Sequence, residues 1–182
     1  MKIYLAGPDV FLPDAAAIGR RKHELCERYG LIGLFPLDNA VDVTADTASL
    51  QIFRGNRAMM DDADAIVANL TPFRGPSADA GTVYELGYMA GRGKLCLGYC
   101  NDPLAYKDRV ARTQRISESN AVLFDEQGLV VEDFRMVDNL MIVHALELHG
   151  YPLIMPTVAP HDPWHDLTSF EACLRLAAHH RA

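Results

Sequence analysis

Apolar residues in this chain fall into short runs, separated by longer stretches in which they recur with helical spacing. Residues 2–6 (Lys-Ile-Tyr-Leu-Ala) form the first run, and it breaks at Gly7-Pro8, which predicts a buried strand stopped by a turn. Residues 14–28 repeat apolar positions at helical intervals, with Pro13 just before and Gly30 just after, the usual punctuation of a helix. Leu31 to Phe35 predicts a second buried strand, closed by Pro36-Leu37-Asp38-Asn39. Ser49 is placed to cap a helix running to about Asp62. Ala65 to Leu70 then predicts a third strand, Val83 to Gly91 a helix, and Lys94 to Tyr99 a fourth strand.

Strands that alternate with helices call for a parallel sheet covered on both faces. Right-handed crossovers make it a doubly wound α/β sheet, flavodoxin-like or Rossmann-like, with expected strand order 2-1-3-4. The whole of 1–182 reads as a single domain, with its core in 1–150 and a C-terminal extension over 151–182. Residues 101–137 are irregular and charged, with a hairpin expected around Glu126-Gln127-Gly128. Asp138 or Asn139 can cap a helix through about Leu148, residues 152–163 form a Pro-rich connector, and 167–179 a last helix.

Composition narrows the function classes. Seventeen basic residues against twenty-four acidic ones give a net charge of −7, which does not suit a grip on the backbone of a nucleic acid polymer. An uncharged nucleoside is still compatible. No stretch of about 18 apolar residues is present, so no membrane span is expected. The first residues also lack the apolar run of a signal peptide. Cys26, Cys96, Cys100 and Cys173 have no CxxC spacing; buried free thiols in a reducing cytoplasm are the expectation.

In a doubly wound sheet, ligands sit beyond the carboxyl ends of the strands where strand order reverses, here between strands one and three. The loops leaving those strands are Ala6-Gly7-Pro8-Asp9 and the Pro-, Gly-, Ser- and Asp-rich stretch 71–81, the two most unusual loops in the chain. In the second of these, Asp79 is followed six residues later by Glu85, expected in the first turn of a helix whose N-terminus would favour its anion. A carboxylate facing an anomeric carbon can form a glycosyl ester that a second acceptor displaces. Gly81 and Gly87 remove side chains and would let a sugar approach. Equally, Asp79 can simply cap the helix while Glu85 balances its dipole; the residues alone leave both readings open.

KIYLAGP at the start, PLDN at 36–39, ADAIVANLTPFRGPSADAGTVYELGYMAGRGK at 63–94 and DNLM at 138–141 resemble the nucleoside 2-deoxyribosyltransferase family. The matches keep the family's order and span most of 1–148. The resemblance implies an enzyme that moves a 2-deoxyribosyl group between purine or pyrimidine bases, with no cofactor and no metal. Glu85 takes the nucleophile's position, Tyr4 that of a tyrosine orienting it, and Asp79 that of a carboxylate binding the deoxyribose near its 5′ end. Asn139 matches an asparagine that reaches a neighbouring subunit's site, which implies a homo-oligomer with a shared active site. Gly7 lies in the strand-one loop at the sugar, where it and Tyr4 could crowd C2′, and Phe11 either stacks on the base or packs in the core. The near alternatives are an N-glycosidase acting on nucleosides or their 5′-monophosphates and, more distantly, a non-catalytic nucleotide-binding module.

The sequence departs from the family's pattern at Asn56, which stands where the family often has an aspartate that protonates the base. An asparagine can hydrogen-bond a base nitrogen but is no general acid. Asp61 and Asp62, one to two helical turns on, are candidates to replace it. Asp79, where relatives that hydrolyse deoxynucleoside 5′-monophosphates usually carry a serine to hold the phosphate, argues for an unphosphorylated sugar, although Arg74 and Ser77 could also form a phosphate pocket. His161 and His165 are spaced poorly for a metal, because Pro163 lies between them. The Asp61-Asp62-Ala63-Asp64 run fits a polar helix end better than a magnesium site. Cys96 and Cys100 are expected in packing, His179 and His180 at a helix end, and Trp164 has no functional reading.

Overall fold

The computed structural model describes residues 1–39 and 44–180. Its centre is a four-stranded parallel sheet of β1 (Lys2–Ala6), β2 (Ile32–Leu34), β3 (Ala65–Asn69) and β4 (Leu95–Tyr99), in the order β2-β1-β3-β4. Tyr4 pairs with Leu34 on one side and with Ile66 on the other. The order is the expected one, and it places the reversal between β1 and β3. The expectation of a buried second strand is corrected: β2 is the edge strand, and Ile32 is exposed.

Side chains alternate across the sheet and create two cores, as a strand's two-residue period requires. Ile3, Leu5, Val67, Leu97 and Tyr99 meet α1 (Ala15–Arg28) and α6 (Thr168–His180) on one face. Tyr4, Ala6, Ile66, Ala68 and Cys96 meet α2 (Ala48–Asp62), α3 (Ala80–Gly91) and α5 (Leu140–His149) on the other. From α6, Phe170, Cys173, Leu174 and Ala177 are fully buried against the sheet. Each larger apolar side chain buried in this way contributes about 1.5–3 kcal/mol. The C-terminal extension therefore supplies one of the sheet's covers. Before α6, the expected connector runs beside β4, where Cys100 N donates to Ile154 O at 2.9 Å and Ile154 N donates to Gly98 O at 3.0 Å.

Helix starts differ from expectation in two places. Helix α2 begins at Ala48 after Thr47, so Ser49 lies inside the helix instead of capping it. Helix α3 begins at Ala80, three residues earlier than expected, because Asp79 accepts from Thr82 N at 2.9 Å and from Thr82 Oγ1 at 3.0 Å. Residues 101–137 contain α4 (Tyr106–Thr113) and a small antiparallel sheet of β5 (Ser117–Ser119), β6 (Val122–Phe124) and β7 (Val130–Val131). The β6–β7 turn is the hairpin expected at Glu126-Gln127-Gly128. All four cysteines are buried as free thiols, and no described helix is long and apolar enough to cross a membrane.

Candidate active site

The strand-order reversal opens a cleft of about 490 Å³. Three carboxyl-end loops and two helices build it. Gly7, Val10 and Phe11 come from the turn after β1, and Pro36, Leu37 and Asn39 from the segment after β2. Asp79, Gly81, Thr82 and Glu85 come from the head of α3, and Ile52 and Asn56 from α2. A shallower recess bounded by Phe53, Met60 and Tyr84 adjoins it and shares Asn56, Gly81 and Glu85. The structure thus brings Gly7, Phe11, Asn56, Asp79, Gly81 and Glu85 together. Tyr4 joins them from below, since it is fully buried in β1 and its hydroxyl donates to Glu85 Oε1 at 2.6 Å.

The electrostatics of Glu85 differ from the expectation. Because α3 starts at Ala80, Glu85 lies in the second turn, where the helix-end field has largely faded. Burial dominates and pushes its carboxyl up to about 7, the Tyr4 hydrogen bond pulls it down, and the nearby Asp79 charge pushes it up. The carboxyl is therefore divided between acid and anion near neutral pH. Burial, followed by the Glu85 charge, drives the Tyr4 hydroxyl far upward, so Tyr4 stays a neutral donor.

Gly7 is required by close approach. A Cβ there would lie 2.3 Å from Asp9 Oδ2 and 2.7 Å from Asn69 Cβ. Asp9 is itself fully buried, accepting from Lys22 Nζ at 2.8 Å and from Asn69 Nδ2 at 3.2 Å. This buried pair under the turn ties β1's exit to α1 and to the end of β3.

The loop before Asp79 is tied down at one residue. Asp138, buried just before α5, accepts from the Ser77 hydroxyl, from Ala78 N at 2.9 Å and from Asn139 N at 2.8 Å. The buried Arg109 guanidinium of α4 lies 4.0 Å from Asp138, and none of its three nitrogens has a hydrogen-bond partner among the described residues. Ser77 is therefore committed to Asp138, and Arg74 lies over the Phe73 and Phe11 rings, 4.6 Å and 5.3 Å from their centroids. Neither lines the cleft, which removes the support for a phosphate pocket built from them.

Phe11 is half exposed at the rim and stacks on Phe73 at 5.3 Å, while Trp164 meets Phe73 edge-on at 6.0 Å. Phe11 is thus a wall of the cleft and no core residue. Asp61 accepts from the Tyr88 hydroxyl and faces Arg92, and Asp62 pairs with Lys2, so neither lines the cleft as a substitute acid. Asn139 caps α5 through Met141 N and donates to Glu132, outside the cleft of its own chain. A Cβ on Gly87 would meet nothing within 4 Å, so close approach does not explain that glycine. His165 bonds Asp14 and Asp162. Among the described residues no three His, Cys, Asp or Glu side chains gather to hold a metal ion.

Sequence reasoning missed Asn39, Ile52, Thr82 and Asp138. The motif containing Asn39 follows β2 beside the reversal, and that position was a usable signal. No periodicity marks Asp138, whose role depends on contacts about 60 residues away.

The family model for nucleoside 2-deoxyribosyltransferases matches residues 3–141. An uncharacterized protein of Schizosaccharomyces pombe is 32% identical over 165 residues, covering 81% of this chain and 78% of its own length. Among solved structures, a 2-deoxyribosyltransferase from Leishmania mexicana superposes with a TM-score of 0.67 at 28% identity, over 100% of this chain and 99% of its own. A conserved protein from Enterococcus faecalis shares the fold, with a TM-score of 0.56 at 20% identity over 100% of this chain and 99% of its own. Every residue lining the cleft, and Tyr4 beneath it, falls inside the matched span, and the chain belongs to the nucleoside 2-deoxyribosyltransferase family.

Proposed function

We propose that this protein moves the 2-deoxyribosyl group of a 2′-deoxynucleoside from one base to another through a covalent ester on Glu85. The observation that carries the reading is the Glu85 carboxylate at the cleft wall, with Oε1 engaged by Tyr4. That bond fixes the carboxylate's rotation and leaves Oε2 to attack C1′. The glycosidic bond breaks as the ester bond forms, through an oxocarbenium-like transition state. A second base then enters the cleft, attacks C1′ and regenerates the carboxylate. Asp79 uses Oδ2 to cap α3, and its Oδ1 serves the deoxyribose hydroxyl side. Phe11, backed by Phe73, offers a stacking face for the base. Asn139, outside its own cleft, acts in the site of a second copy.

The test is base exchange: deoxyinosine with free adenine or cytosine, run with and without the acceptor, for the wild type and Glu85→Ala. New deoxynucleoside formed by the wild type alone is the expected result. Free hypoxanthine and deoxyribose without exchange would replace transfer by hydrolysis, and equal exchange by Glu85→Ala would remove Glu85 from the mechanism.

A further inference from the structure

A second pocket, of about 290 Å³, lies at the carboxyl ends of β3 and β4 and is lined by different residues from the cleft. The ends of parallel strands are where such sheets hold ligands. The 71–79 loop links the two spaces, with Thr71 and Pro72 in this pocket and Asp79 in the cleft. Asn101 ties the pocket's walls together. Its backbone N–H donates to Thr71 Oγ1 at 3.1 Å, and its Nδ2 donates to Pro163 O at 2.8 Å and to Asp166 O at 3.0 Å. The loops after β3 and β4 and the connector before α6 are thereby joined. Pro72, Pro103, Pro160 and Pro163 all line the space. Their fixed φ leaves these walls little freedom to lose when a ligand binds.

The chemistry of the lining is mixed in a specific way. Trp164, the chain's single tryptophan, is partly buried there and touches Phe73 edge-on. An indole among prolines is a surface for a planar ring. Asn101 is 1% exposed, and its Oδ1 has no hydrogen-bond partner among the described residues. A buried acceptor left in this way calls for an N–H. Asp102 uses Oδ1 to accept from Leu104 N at 3.0 Å, and its Oδ2 is a second acceptor in the same lining. Arg112 brings a cation from the exposed side of α4, in a planar form that suits phosphate. The cleft has the opposite character, because Asp79 and Glu85 line it with carboxyl groups while Arg74 and Ser77 are engaged outside it. A phosphate is repelled there and attracted to Arg112.

We infer that this pocket is a second ligand site, taking a planar heterocycle that carries both an amino group and an anionic group, the chemistry of an adenine or cytosine nucleotide. The ring lies against Trp164, the amino edge serves Asn101 and Asp102, and the phosphate pairs with Arg112, away from the Asp102 carboxylate. Binding here needs neither Glu85 nor turnover, so it stands or falls apart from the transfer reading.

Trp164 supplies the readout, since its fluorescence is the protein's only indole emission. Deoxyadenosine 5′-monophosphate is titrated beside deoxyadenosine and inorganic phosphate, for the wild type and for Arg112→Glu, a change at an exposed position. The expected result is a saturable change in Trp164 emission with the monophosphate, at least ~10-fold tighter than with either fragment and weakened at least ~10-fold by Arg112→Glu. A monophosphate lodged in the cleft would reach the same indole through Phe11 and Phe73, and would do so equally in Arg112→Glu. That result, or no saturable change in the wild type, overturns the site. An equal response to inorganic phosphate overturns the nucleotide in favour of a bare anion, and equal binding of deoxyadenosine removes Arg112 from recognition and overturns it as well.

Discussion

Tyr4 and Glu85, 81 positions apart in the chain, share a 2.6 Å hydrogen bond at the floor of the cleft. The bond runs from the centre of the sheet to the second turn of α3, so the fold itself sets the orientation of the Glu85 carboxyl. It also sets that carboxyl's acidity, since Tyr4 counteracts the burial that raises Glu85 to about 7.

That opposition gives a pH signature. In the proposed transfer the attacking form is the Glu85 anion, so kcat/KM should climb with pH through about 7 and level off above. Tyr4→Phe removes the bond that stabilises the anion. The climb should then move to higher pH, with the loss larger at about pH 6 than at about pH 9. A pH–rate profile of the two proteins checks this; a uniform loss at every pH would show that Tyr4 only shapes the cleft.

Glu85 should also cost stability. Its folded-state acidity lies on the high side of an ordinary carboxylate, so the unfolded chain releases the proton first. Folding stability therefore falls as pH rises from about 4.5 through about 7, and the cost is fully present above. Glu85→Gln should abolish turnover yet gain about 1–2 kcal/mol near pH 8, a rise in Tm of several degrees. Near pH 4 the gain should vanish. Thermal melts at the two pH values decide it, and equal melting of the two proteins at pH 8 would falsify the account.

Asp138 and Arg109 should respond asymmetrically to substitution. Asp138→Ala strips the Ser77 and Ala78 bonds from the Asp79 loop and leaves a buried guanidinium without the one carboxylate that lies within 4.0 Å of it among the described residues. A loss of about 3–5 kcal/mol is expected. Arg109→Met leaves Asp138 its three protein donors and replaces a cation that has no hydrogen-bond partner among the described residues by an apolar chain of similar length. It should therefore cost far less. Denaturant unfolding of both variants provides the comparison; a milder effect for Asp138→Ala would reverse their ranking.

Gly7→Ala should be worse than its single methyl suggests. The new Cβ collides with Asp9 Oδ2 and Asn69 Cβ, both part of the buried Lys22 network. Overpacking of this kind costs about 1–3 kcal/mol. KM for the nucleoside should rise as well, because the β1 turn lines the cleft. Steady-state kinetics beside a melting curve would expose a variant that is merely less stable.

The strand order and the place of the cleft were legible because they follow from local signals. Apolar runs such as Ala65 to Leu70 mark strands, and the loops after β1 and β3 carry residues that strands and helices avoid. The properties that decide chemistry were less legible. The start of α3 depends on the Asp79 side chain turning back to Thr82, which moves Glu85 out of the first turn. Burial of Glu85 depends on Tyr4 and on packing across the sheet. Asp138 was visible as a possible cap, but its grip on Ser77 and Ala78 needs α5 to pack beside α3, and periodicity says nothing of that.

The strand-like course of residues 150–154 beside β4 has one more consequence. Without it β4 would be a bare sheet edge, with Gly98 and Cys100 presenting unpaired backbone groups to any other extended chain. The residues proposed for chemistry all precede position 140, whereas the guard on this edge and one cover of the sheet come after it. A chain ending near Gly150 would keep its entire reactive complement and become a template for self-association.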